Sequence, residues 1–253
     1  MKRVDYLAVV MATLVAIGAT LGLSASDDGN ATAPHVVPDG HCEHSGINSD
    51  GGIQFLANCP QSSLSPDGRW KLIQTSPIGA EEVYDVVIET PDGKLVGHVP
   101  DLNDHMPFAL YWSPRSDWFM INHYRGSGLQ RPRVFQITGD RVIEYADFLR
   151  TGEDKAREIS PCLPSDDKAD WMTGDGLKWS RDGSKLAWAF RTRIDMCVFE
   201  DPAFSGPIPP DKQGRSFLMI SDVATGKIVD GSVRLLPDDE KWRFPTDGPY
   251  RGF

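Results

Sequence analysis

The chain has 253 residues, 40% of them hydrophobic and 25% charged, and a formal net charge of -10 at neutral pH. That apolar content excludes a disordered chain, and the length suffices to bury a substantial core, or a set of repeats, without a metal or a staple. The acidic balance, with no visible cluster of Lys and Arg, speaks against nucleic acid or an anionic membrane surface as a partner; a basic protein suits it better.

Lys2 and Arg3 open the chain, an uncharged run follows from Tyr6 to Ser26 with apolar Leu7 to Leu23 at its centre, and Gly22, Ser24 and Ser26 precede Asp27-Asp28. Basic, apolar and small-residue regions in that order predict a signal peptide over 1–26 and a periplasmic or secreted mature protein. The alternative is a membrane anchor formed by residues 7–23, a run slightly long for a signal core and short for a spanning helix. Cleavage removes Lys2, Arg3 and Asp5, a net +1, and takes the mature domain from -10 to -11.

Residues 27–60 read as an N-terminal extension. It holds Cys42 and Cys59; Cys162 and Cys197 complete the set. An even count in an oxidising compartment predicts disulfides, and joining 42 to 59 and 162 to 197 closes the shortest loops. His41-Cys42-Glu43-His44 with Cys59 has ligand types suited to zinc or copper. A disulfide at Cys42 beside two surface histidines accounts for the same residues, so no metal or cofactor is expected.

From residue 61 onward one pattern recurs. Ser65-Pro66-Asp67-Gly68, Ser113-Pro114-Arg115-Ser116 and Ser180-Arg181-Asp182-Gly183 each follow an apolar residue (Leu64, Trp112, Trp179) and precede an apolar strand pattern. Pro presets φ, Asp folds back onto the backbone and Gly takes the last corner, so each tetrapeptide predicts a tight turn between strands; Ser116 in place of Gly predicts a different turn in the second copy. A second turn follows each first one, at Pro91-Asp92-Gly93, Thr138-Gly139-Asp140 and Thr225-Gly226-Lys227. Each unit therefore reads as a four-stranded antiparallel meander, at about 61–100, 108–146 and 175–236. Residues 146–159 read as a short helix or polar loop. Ala187 and Ala189 predict the close approach of another sheet, and 242–253 are expected to pack against N-terminal residues over an open edge.

These copies resemble the Ser-Pro-Asp-Gly type of repeat in the TolB-like, or WD40-like, β-propeller family. The resemblance spans roughly residues 60–145 and 175–235, with Arg115-Ser116, Arg181 and Lys71 departing from the pattern. It implies an all-β fold of blade-like repeats over 61–253, a small or incomplete propeller since only three copies are visible. A pair of packed antiparallel sheets is the alternative.

No catalytic signature is visible. Gly126-Ser127-Gly128 is too short for a nucleophile elbow. Asp101, Asp104 and His105, with Asn122 to Arg125, lie at repeat-strand ends and offer an acid–base pair on paper, but solvated loop residues account for them as well. The acidic run Ser165-Asp166-Asp167 lacks the glycine and terminal glutamate of a calcium loop. Trp112, Trp118, Trp179 and Trp188 fall in repeat strands and read as core, whereas Trp171 and Trp242 in polar segments are candidate partner contacts. So are Pro207 and Pro209 in the long Thr192–Arg215 loop. The TolB resemblance implies a non-catalytic, protein-binding module of the cell envelope. A periplasmic inhibitor or immunity protein, or a small propeller-type hydrolase or lyase, are the alternatives.

Overall fold

A computed structural model describes residues 46–47, 51–56, 59–75, 85–102, 106–126, 130–159, 172–192, 215–236 and 243–253. All lie within one unit, Thr32–Phe253. Among the described residues the chain is all-β apart from one α-helix and one turn of 3-10 helix, and its strands form three antiparallel sheets. The first sheet runs β2 (Gln61–Leu64), β3 (Lys71–Gln74), β4 (Val86–Glu89) and β5 (Leu95–His98). The second contains β6 (Phe108–Trp112), β7 (Trp118–Tyr124), β8 (Gln130–Thr138) and β9 (Arg141–Glu144), and the third β10 (Met172–Trp179), β11 (Lys185–Thr192), β12 (Ser216–Asp222) and β13 (Arg234–Leu235). The signal-peptide region lies outside the described residues. Among those described, no helix is long and apolar enough to cross a membrane.

The first turn of every sheet closes in one way. Gly68 N–H donates to the Ser65 carbonyl at 2.9 Å, Ser116 to Ser113 at 2.8 Å and Gly183 to Ser180 at 2.8 Å. In the outer two turns the leading serine donates to the aspartate carboxylate, at 2.8 Å in Ser65–Asp67 and 2.7 Å in Ser180–Asp182. The expectation of a different turn at Ser116 is corrected: its φ of 64° matches 72° at Gly68 and 65° at Gly183. That left-handed backbone is unfavourable for a side chain. A partial offset comes from Ser116 itself, which is buried and accepts the Asp67 N–H at 3.1 Å.

Two features depart from the four-strand pattern. β1 (Ile53–Phe55) belongs to the N-terminal extension, yet pairs antiparallel with β6 and makes the second sheet five-stranded. The whole first sheet is thus inserted between two pieces of the second. The last strand of the third sheet is also broken: Ile228 makes an isolated bridge to Ser221, and β13 begins only at Arg234. Between them Ser232 substitutes for ladder pairing, its Oγ accepting the Ile220 N–H at 3.1 Å.

The C-terminal segment corrects two expectations. Among the described residues it packs on the third sheet rather than on the N-terminal extension, and it occupies the face where Ala187 and Ala189 predicted another sheet. Tyr250 is buried there with Ala187, Leu218 and Ile220, flanked by Phe244 and Phe253. The Tyr250 hydroxyl donates to the Ser232 carbonyl at 2.6 Å, and Arg181 N–H to that of Gly252 at 2.9 Å.

The remaining core fills the two spaces between sheets. Leu72 and Ile88 of the first sheet meet Leu110, Phe119, Ile121 and Phe135 of the second, joined by Ile53 and Phe55 of β1. On the other side Met120 and Val134 meet Trp188, Phe190 and Phe217 of the third. Helix α1 (Asp147–Ile159) sits over this second space with Phe148, Gly152 and Ala156 buried. Trp112, Trp118, Trp179 and Trp188 are all buried, as their strand positions predicted.

Candidate functional site

A cleft opens where the edges of the second and third sheets meet. Its two recesses share Tyr111 and Leu177 as a divide. The larger, about 410 Å3, is lined by Gln54, Asn122, Tyr124, Gln130, Asp175 and Gly176 among others. The smaller, about 240 Å3, lies at the turn end between Pro66 and Pro114, with Trp112 and Trp179 behind it and Lys178 at its side.

Local chemistry fixes both walls. Asn122 in β7 is a two-way clamp: its Nδ2 donates to the Gly176 carbonyl and its Oδ1 accepts the Gly176 N–H, both at 2.8 Å. Glycine is required at 176, since a Cβ there would overlap the Met120 sulfur. A register shift between Gly176 and Lys178 leaves Leu177 as the extra residue of a bulge, which places it on the divide. The inner strands are tied by two equivalent indoles. Trp112 Nε1 donates to Ser63 Oγ at 3.0 Å, and Trp179 Nε1 to the Tyr111 carbonyl at 3.1 Å. Each indole stands immediately before its turn serine, and each acceptor two residues before the preceding turn's serine.

The chemistry available is amide, phenol and one carboxylate in the larger recess, and aromatic and proline surface in the smaller. Among the described residues, no serine, cysteine or histidine lines either one. Among the described residues no group of His, Cys, Asp and Glu could hold a metal ion.

Most residues that sequence patterns singled out lie outside the described residues. Asn122 and His123 are buried in β7, which corrects their reading as solvated loop residues. Asp101 turns the chain between sheets at φ 51°, its carbonyl accepting Arg133 Nη1 at 3.3 Å. His98 lies 3.0 Å from Asp85 on an exposed strand. Cys59 is buried. Cys42, Cys162, Cys197, Trp171, Trp242, Pro207, Pro209, His41, His44, Asp104, His105 and the acidic 165–167 run lie outside the described residues. Gln54, Tyr111, Asp175, Gly176 and Lys178 had no motif to mark them; the one available signal was Gly174 and Gly176 inside a strand pattern, which indicates close backbone approach.

No family model, no curated protein and no solved structure matches this chain.

Proposed function

We propose that the chain is a non-catalytic binding module of the cell envelope, an incomplete propeller of TolB-like repeats that presents its cleft to another protein outside the cytoplasm. The observation that carries this reading is the construction of the cleft. Both walls are held by buried hydrogen bonds and an obligate glycine, and among the described residues neither recess is lined by a nucleophile beside a base. Rigid walls lower the ordering cost of association, which is how a scaffold rather than a lid-gated enzyme gains affinity. The propeller reading is supported by the repeated indole hook, which stacks each sheet on its predecessor in the same register. The even count of four cysteines suits disulfides and an oxidising compartment.

The test is site-specific photo-cross-linking from Tyr124, at the larger recess, in the native envelope. A discrete protein adduct, absent when the probe sits at exposed His98 on β5, the edge strand of the first sheet, is the expected result. Small-molecule labelling with no protein adduct would overturn the reading.

A further inference from the structure

The overall charge of -10 conceals a local reversal at the turn end. The three first turns lie side by side there. Asp67 N–H bonds Ser116 of the second turn, and a Cβ on Gly183 of the third would lie 2.8 Å from Arg115 Cγ, so the Arg115 stem lies across the third turn. Arg115 and Arg181 are therefore neighbours, and Lys178 stands on the adjoining wall of the smaller recess. All three are exposed. Of the carboxylates on this face, Asp67 pairs with Arg69, whereas Asp182 accepts from Ser180 and from Ser184 N–H and Oγ and keeps its charge beside Arg181. Asp117, half-buried, stands 3.6 Å from Arg115. Lys178 lies 5.7 Å over the Phe244 ring, and neither it nor Arg181 has an ion-pair partner among the described residues. Lys178 thus lines a small aromatic and proline recess, with Arg115 next in the chain to its Pro114 and Arg181 two residues past its Trp179.

We propose that this turn face docks an acidic segment of a protein partner, with one apolar side chain of that segment seated between Pro66 and Pro114. The inference rests on the binding-module reading and specifies its partner. At about 240 Å3 the recess is smaller than the pockets that enclose drug-sized ligands, and fits a single side chain. The three charges supply attraction and orientation, and the apolar anchor supplies burial. A protein segment is favoured over an anionic lipid surface because the rest of the molecule is strongly acidic and would be repelled by an extended anionic plane. This local charge also reverses the basic partner that net charge alone suggested.

The probe is a labelled peptide of Asp and Glu residues around a central Phe, followed by fluorescence anisotropy with the mature protein. Binding is expected to weaken by roughly tenfold or more in Arg115→Glu/Lys178→Glu/Arg181→Glu, and to fall with added salt and on changing the peptide Phe to Ser. Arg181→Glu alone should show a smaller loss in the same direction and guards against misfolding of the triple variant, with circular dichroism and melting as controls. Absence of peptide binding, equal binding by folded variants, or tighter binding to phosphatidylglycerol vesicles than to the peptide would overturn the proposal. A protein adduct from Tyr124 without peptide binding would remove this inference and leave the binding-module reading standing; no adduct from Tyr124 would remove the reading itself.

Discussion

Trp179 Nε1 donates to the Tyr111 carbonyl oxygen at 3.1 Å, and so carries the third sheet on the inner strand of the second. Trp112 does the same one sheet earlier, onto Ser63. Leu64, at the equivalent position of the first sheet, has no preceding sheet to reach among the described residues. Trp179→Phe keeps the aromatic packing but leaves a buried carbonyl without this donor, which costs about 1–3 kcal/mol. Trp112→Phe should cost less, because Ser63 Oγ loses the indole donor but keeps its own O–H donation to the Leu64 carbonyl, at 3.4 Å. Urea unfolding of both variants checks the order, and equal losses would count against the hook.

Trp188 is fully buried against Phe148 and Phe190, and its Nε1 donates to Ser221 Oγ at 3.1 Å. Trp188→Ala is expected to lose about 3–5 kcal/mol, as for other large buried aromatics. Ile143→Ala, at a side chain 40% exposed, should stay within about 0.5 kcal/mol of wild type. Equilibrium denaturation, with far-ultraviolet circular dichroism confirming a β-rich native state, measures both.

Gly152 sets helix propensity against packing. Alanine in mid-helix is favoured over glycine by about 1 kcal/mol. A Cβ at 152, however, would overlap the Phe190 ring, itself buried and stacked on Phe217 with centroids 5.5 Å apart. The ring has nowhere to retreat, so Gly152→Ala should destabilise the protein despite the better propensity. Combining it with Phe190→Leu should recover part of the Gly152→Ala penalty in a double-mutant cycle; strict additivity would mean the contact does not govern the site.

Acid should loosen the turns first. Hydrogen bonds from Ser180 and Ser184 hold the Asp182 carboxyl down at about 2, below its ordinary 3.8. A carboxylate depressed in the folded state contributes stability above its unfolded pKa and loses it as pH falls through the folded value. The window therefore runs from about pH 4 to pH 2. Asp182→Asn should flatten the pH dependence of the urea midpoint there, and an unchanged slope would mean these hydrogen bonds do not couple to folding.

The cysteines offer a chemical test. Cys59 adjoins a loop pinned by Gln74, whose Nε2 donates to the Leu56 and Cys59 carbonyls at 2.7 and 2.9 Å. Bridges joining 42 to 59 and 162 to 197 are the expected pairing, and non-reducing peptide mapping should recover them. A cross-pairing such as 59 to 162 would overturn it.

Much of the architecture was legible in the chain because it is local. A Ser-x-Asp-Gly turn needs only its own residues, since the serine, the aspartate and the left-handed corner satisfy one another within a few positions; strand alternation likewise depends on neighbours two apart. The second copy was misjudged for the same reason. Ser116 breaks the local rule, and what supports it is Asp67, 49 residues away. The pairing of β1 with the second sheet, the C-terminal cover on the third, and the cleft walled by Asn122 and Gly176 were decided only by the tertiary structure. Each joins segments that no local pattern relates, and each depends on burial and hydrogen-bond pairing becoming available only after the sheets have met.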